Sequence, residues 1–396
     1  MNDLVRRLLL LGVIATAFGA VDARAAVINI SAEFVPNAHD PNKRTFTNTT
    51  PWSGVCNGAH LNTCKARGIW SIDTRIRGTK QFRGPSADDR NNYYFALPGK
   101  RTVTVTNDAG MRSDLDLRLS GIAFRYGGPP TTENPIFAAC PTFLSNHQAI
   151  GSSVMRMLLR NGDSNAAGVC INTNNRPQRR DDVEIQALDI VYILDAQNPL
   201  ELPSGMYRGS TTYTIGGAGS DIDLGNGVAV DSPTLTVNFE LEVKHSFRIS
   251  GIEDGARVVL APERGWRDWI DHGRAPARLQ QELPFRIDTS GRFSLGLQCQ
   301  HAIGERCGIA LEEGADAVPL DIAVTMPGIH VVEGRRPAQR QPLNRTQPVM
   351  FGVDGYVLER PSRLHFEVAG QPLQQMLARP GSQWRGDVTL VFDAEP

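Results

Sequence analysis

What this chain lacks narrows it first. It contains no H-E-x-x-H, no G-x-S-x-G and no G-x-x-x-x-G-K-[ST], the signatures of zinc proteases, serine hydrolases and P-loop enzymes. Charge of one sign is missing too, because 41 Lys and Arg stand against 42 Asp and Glu. A near-neutral chain offers no bulk electrostatic attraction for nucleic acid. Aromatic residues make up only 7%, whereas 38 Gly and 25 Pro supply frequent turns, which suits short strands with many connections. The eight histidines are scattered without metal-ligand spacing, so neither metal nor cofactor is expected. Asp88-Asp89, Asp181-Asp182 and Glu312-Glu313 are sequence neighbours, and neighbours in a strand point to opposite faces, so they make poor catalytic pairs. The residues point away from an enzyme.

Long apolar runs are also lacking after the first residues. Arg6-Arg7 precedes the short apolar run Leu8 to Ala20, and Ala23-Arg24-Ala25 follows. Basic head, short apolar core and small-residue site read as an export signal over 1–25, with the mature chain starting at Ala26. A membrane anchor needs about 20 apolar residues, more than this run holds. Six cysteines then fall as Cys56/Cys64, Cys140/Cys170 and Cys299/Cys307. An even count in an exported chain reads as a disulfide framework. Fifteen pairings are formally possible, and the sequential one closes the shortest loops. It is worth roughly 2.5 kcal/mol for each short loop and roughly 3.7 for the longer one on the loop-entropy account. Zinc is the rival, with His60 and His301 nearby, but these cysteine gaps are wider than those of structural zinc sites.

What is present is β grammar. Val103 and Val105 alternate with threonines, and Leu115, Leu117 and Leu119 alternate with Asp116 and Arg118. Val183 to Leu194 is a longer β-prone run, and Leu235, Val237, Phe239, Leu241 and Val243 alternate strictly with polar residues. Beyond them Leu320 to Met326 and Leu364 to Val368 alternate in the same way. Phe285-Ile287 and Phe293-Leu297 flank Asp288 to Arg292, a hairpin signal. Ser152 to Arg160 carries apolar residues at helical spacing, and Gly334 to Arg345 reads as disordered.

A turn, an aromatic residue and Arg-Gly before a β-rich run occur twice. Pro203-Ser204-Gly205-Met206-Tyr207-Arg208-Gly209 has a counterpart in Pro380-Gly381-Ser382-Gln383-Trp384-Arg385-Gly386. The recurrence points to two β-domains with similar closing strands, chance being the other reading. These patterns predict an all-β protein of two immunoglobulin-like sandwiches in tandem: 26–243, a short linker at Lys244 to Ser246, and 247–396. A hairpin is the alternative reading of the break at Lys244. The final strand, with Trp384, Gly386, Val388, Leu390 and Phe392, is followed only by Asp393 to Pro396. That end is consistent with a second sandwich one strand short, its edge and apolar groove open to another chain.

The order of these parts resembles a known family. A signal peptide and a disulfide-bearing β-domain come first, with Leu202-Pro203-Ser204-Gly205-Met206-Tyr207 near its end. A second β-domain follows, with Val324-Thr325-Met326-Pro327, then Arg360-Pro361-Ser362-Arg363-Leu364, and the closing stretch Gly381 to Phe392. This is similar to the minor tip subunits of class 5 (alpha) chaperone–usher fimbriae, the CblD-like pilus-biogenesis initiators. The resemblance implies a two-domain fimbrial adhesin at the cell surface, exported through the periplasm. It implies a periplasmic chaperone, an outer-membrane usher, a major shaft subunit donating a strand, and a host-cell glycan or glycoprotein receptor. It further implies that arginines bind the receptor, yet Tyr213 to Ser220 offers no basic cluster where the family has one. The family's cysteine before Pro-x-Arg-Leu is likewise replaced near Glu359.

Arg176, Arg179 and Arg180 form the densest basic spot of the first domain and are the candidate receptor-binding residues, as forked donors for anionic sugars. The plainer reading is a solvated loop neutralised by Asp181 and Asp182. Trp52, Trp70, Tyr93 and Tyr94 can stack on sugar rings or serve the core; Trp266 and Trp269 are expected to cover an apolar face of the second domain. A secreted carbohydrate-binding module or hydrolase is the alternative function.

Overall fold

The computed structural model describes residues 25–128, 135–147, 153–160, 164–173, 180–311 and 316–394. The expected export signal, 1–24 of it, lies outside them. The chain is all-β, and none of the described helices is long and apolar enough to cross a membrane.

The principal elements of the N-terminal half are β1 (Ala26–Phe34), α1 (Leu61–Ala66), β2 (Trp70–Asp73), β3 (Arg101–Thr106), β4 (Arg112–Gly127), β5 (Thr142–His147), β6 (Val154–Leu159), β7 (Asp182–Ala196), β8 (Gly205–Gly216) and β9 (Thr234–Val243). With shorter strands they form one 15-stranded sheet, curled so that its inward side chains meet in a single core. Strict alternation puts Leu235, Val237, Phe239, Leu241 and Val243 of β9 at 2% exposure or less, each burial contributing about 1.5–3 kcal/mol. β9 lies between β8, antiparallel, and β1, parallel, with Ile28 opposite Val237 and Ile30 opposite Phe239. The first strand of this half thus covers the edge of its last.

After Val243 the chain leaves that core, passes Lys244 to Ser246 without regular structure, and enters a second core at Phe247. Here the elements are β10 (Phe247–Ser250), α2 (Arg267–His272), β11 (Arg278–Thr289), β12 (Phe293–Cys299), β13 (Arg306–Leu311), β14 (Ala317–Thr325), β15 (Val349–Val353), β16 (Val357–Ala369), α3 (Gly370–Leu377), β17 (Trp384–Arg385) and β18 (Val388–Ala394). One sheet runs β10-β11-β16-β14-β13, and a second contains β15-β12-β18. The cysteines pair as Cys56–Cys64, Cys140–Cys170 and Cys299–Cys307, and the last pair ties β12 in one sheet to β13 in the other.

Several sequence expectations are corrected. The expected helix from Ser152 to Arg160, of which Ser152 lies outside the described residues, is instead the strand β6, between β4 and β5. Leu158 faces the main core while Met157 faces a smaller cluster on the opposite side of the sheet. Apolar residues on both faces erase the period-two signal and imitate helical spacing. The expected hairpin at Asp288 to Arg292 is instead a crossing between sheets, since β11 pairs with β10 and β16 while β12 pairs with β15 and β18.

Gly334 to Arg345 is ordered. Gln341–Leu343 pairs with β14, and Arg340 donates its backbone N–H to Thr325 Oγ1 at 3.0 Å. Thr325 is 2.8 Å from His365 Nε2, and His365 Nδ1 is 3.0 Å from Glu282. A hydroxyl, an imidazole and a carboxylate in line resemble a catalytic relay, but here they pin the Arg340 segment to the outer face of the sheet. Trp266 covers no apolar face: it is 38% exposed, and α2 buries none of its residues. The recurring turn-aromatic-Arg-Gly motif opens β8, which is the penultimate long strand of its half and not the closing one. Its aromatic nevertheless behaves alike in both copies. Tyr207 donates its hydroxyl to Pro203 O at 3.0 Å, and Trp384 donates Nε1–H to Ser382 Oγ at 2.9 Å, each clamping the turn before it.

Candidate functional site

The C-terminal stretch read as one strand is two. β17 pairs with β13, with Leu311 opposite Trp384, and β18 pairs with β12 in the other sheet. Gly386 makes the switch possible, because a Cβ there would lie 2.6 Å from Gly308 O. Asp387 and Gln300 brace the crossing, with Gln300 donating its N–H to Asp387 O at 2.9 Å and Asp387 donating to Gln300 Oε1 at 3.0 Å.

β18 then runs along β12 from Cys299/Val388 to Phe293/Ala394 and, among the described residues, has no strand on its other side. Its inward side chains Val388, Leu390 and Phe392 are only half-buried, unlike those of β9. Among the described residues β10 is the edge of the facing sheet, paired with β11 alone, and its Phe247 and Ile249 are half-buried as well. The two edges adjoin: the Phe392 ring is 6.1 Å from that of Phe247 and 6.2 Å from that of Phe285. Unpaired main-chain groups beside half-covered apolar side chains make a seat for an extended strand, with main-chain hydrogen bonds for affinity and alternate side chains for fit. Alternation in the sequence marked Val388, Leu390 and Phe392; nothing in it marked β10 as the opposite wall, which depends on how the sheets stack.

Of the three candidate receptor arginines, Arg176 and Arg179 lie outside the described residues. Arg180 is exposed, and its Nε–H donates to Gly84 O at 2.6 Å. Beside it Arg83 pairs with Asp182 at 2.9 Å. The floor under this end is held by Lys80, which is 0% exposed and donates to Leu224 O, Asn226 O and Arg90 O at 2.8, 2.9 and 3.0 Å. Burial draws its ammonium pKa down to about 8. Arg90 in turn grips Asp223 with two bonds, at 2.7 and 2.8 Å. One end of the sheet is therefore fixed by the buried Lys80 and the half-buried Arg90, with Arg180 on its surface.

A second surface was not foreseen as a unit. Trp52 and Trp70 are half-buried and stacked at 5.0 Å, with the Lys65 ammonium 5.9 Å from the Trp52 ring and the Arg67 guanidinium 5.0 Å from that of Phe143. The Cys56–Cys64 loop holds this group in place, and Asp189 holds the loop. Asp189 is 1% exposed and accepts the Val55 N–H at 2.6 Å, while its other oxygen is buried without a hydrogen-bond partner among the described residues. Burial, with Asp73 adding to it, pushes its carboxyl up to about 7. Tyr93 belongs to the core, at 2% exposure, and the Arg90 guanidinium lies 4.8 Å from the Tyr94 ring. The sequence signal for this surface was available: Asp40 to Asp73 encloses no acidic residue, while Lys43, Arg44, Lys65 and Arg67 fall within it.

No family model and no curated protein matches the chain. Among solved structures it is similar to the CsuC–CsuE chaperone–tip adhesion subunit pre-assembly complex from archaic chaperone-usher Csu pili of Acinetobacter baumannii. That similarity comes at 10% identity over 93% of this chain and 98% of that one, with a TM-score of 0.23. A superposition that loose does not define a shared fold.

Proposed function

We propose that this chain is a non-enzymatic fimbrial tip adhesin and assembly initiator. Residues 26–243 act as the receptor-binding domain, 244–246 as the linker and 247–396 as a pilin domain completed by a strand from another subunit. The observation that carries this reading is the open β18/β10 edge. In the N-terminal half β1 covers the edge of β9, whereas the same kind of alternating strand in the C-terminal half is left half-covered. A periplasmic chaperone fills that edge first, and a shaft subunit replaces it at the usher. The arginine-bearing end, Arg176, Arg179 and Arg180, is the receptor surface, and an anionic host glycan suits its chemistry. The family resemblance in the order of motifs supports the same assignment.

The test appends a strand of about nine residues after Pro396 through a flexible linker, with alternating Ile and Thr. The tether turns strand addition into an intramolecular event. The full mature chain gains several degrees in Tm and stays monomeric, while a control with Asp at the inward positions gains nothing. Equal behaviour of the two fusions overturns the open-edge reading. Deletion of the gene is expected to abolish surface fimbriae; normal piliation overturns the initiator role.

A further inference from the structure

The segment joining the two halves is more than a tether. His245 is half-buried there, with both ring nitrogens engaged: Nε2 is 2.7 Å from Leu202 O and Nδ1 is 3.1 Å from Ser290 Oγ. A carbonyl only accepts, so Nε2 carries the proton of the neutral ring and Nδ1 takes the hydroxyl hydrogen of Ser290. Ser290 Oγ accepts the Ser246 N–H at 2.9 Å, and the Ser290 N–H donates to Ser246 O at 3.1 Å. The ring meets Phe34 edge-on at 5.9 Å, and a Cβ on Gly291 would lie 2.8 Å from His245 Cγ. Phe34 and Leu202 belong to the first half, Ser290 and Gly291 to the second. One imidazole touches both.

A separate contact joins the same halves. Arg44 donates to Asp354 O at 2.8 Å, and the Tyr356 N–H donates to Pro41 O at 2.7 Å. These bonds involve only backbone carbonyls as acceptors and an arginine as side-chain donor, so they do not titrate in mild acid. His245 does.

We propose that His245 is an interdomain latch: the neutral ring fixes the angle between the two halves, and protonation in mild acid frees that angle while the contact of Arg44 and Tyr356 with Asp354 and Pro41 keeps the halves joined. Protonation converts Nδ1 to a donor. Ser290 Oγ then faces two donors, the ring and the Ser246 N–H, and its own hydroxyl hydrogen must find a new acceptor in a side chain that is 0% exposed. Burial already lowers the ring's pKa, so the charged form is disfavoured in the closed state. Glu201 and Arg292 line the small cavity beside the ring. Lys244, next in the chain, is taken up by Glu242 at 2.8 Å and Glu33 at 3.6 Å. Ser290 lies in the crossing from β11 to β12, and Phe247 two residues after His245 rests on Phe392, so the latch abuts both walls of the open edge. Its action does not depend on what fills that edge.

Hydrogen exchange of the full mature chain between pH 5 and 8, corrected for intrinsic exchange, reads the latch at the Ser246 and Ser290 amides. Protection there is expected to fall about tenfold between pH 7 and pH 5, while β9 amides stay protected, and small-angle scattering broadens over the same range. His245→Gln keeps a donor toward Leu202 but cannot ionise, and its profile is expected to be flat. Ser290→Ala is loose at every pH. Constant wild-type protection, an unchanged scattering profile in acid, or a His245→Gln chain with the wild-type pH profile would each overturn the proposal.

Discussion

Asp189→Asn isolates the cost of a buried carboxylate under the disulfide loop. In the folded chain the carboxyl is pushed from 3.8 up to about 7, chiefly by burial. The folded state therefore keeps this proton to a higher pH than the unfolded chain does. Stability accordingly falls as pH rises from about 4 to about 7 and levels off above that. At about 1.4 kcal/mol per pH unit, the full displacement is worth about 4 kcal/mol, an upper figure because the loop relaxes around the charge. Asn has the shape of the protonated acid: it keeps an oxygen for the Val55 N–H and, like the acid, leaves its second polar atom without a partner. The variant is expected to match wild type at pH 4 and to exceed it by about 2–4 kcal/mol at pH 8. Urea midpoints followed by tryptophan fluorescence, which Trp52 and Trp70 supply beside the loop, measure the difference, a displacement on the order of 1 M. Parallel curves for wild type and the Asp189→Asn variant from pH 4 to pH 8 would refute the reasoning, because the carboxyl would then be ionised without penalty.

Reversing charge at Arg176, Arg179 and Arg180 together is expected to abolish binding of the chain to host cells while leaving fimbriae in place; unchanged adhesion returns the cluster to a solvated loop. Gly386→Val is expected to cost about 1–3 kcal/mol, because the new side chain meets the Gly308 carbonyl at the strand crossing, and thermal unfolding of the mature chain reads it. A Gly386→Val chain as stable as wild type would mean that the two sheets separate freely at that point.

Much of this protein was legible from residues alone. The all-β class and the inward residues of β4, β9, β14 and β16 follow from period-two alternation, because a strand with one buried face must put apolar side chains on every second position. Where that one-face condition fails, so does the reading. β6 lies between two cores and reads as a helix, and β11 and β12 read as a hairpin although they belong to different sheets. Gly334 to Arg345 looked disordered because its order comes from Thr325, His365 and β14, partners that composition cannot display.

The candidate sites divide along the same line. Val388, Leu390 and Phe392 were marked by their own alternation, and the cysteines by their number and spacing. That β10 stands across from β18, that β1 closes the corresponding edge of the other half, and that His245 spans the junction were decided only by the tertiary structure. The physical reason is range. Alternation and turn chemistry act between near neighbours, so the sequence displays them directly. Edge coverage, sheet stacking and a shared imidazole depend on which distant segments meet, and no local pattern encodes the partner.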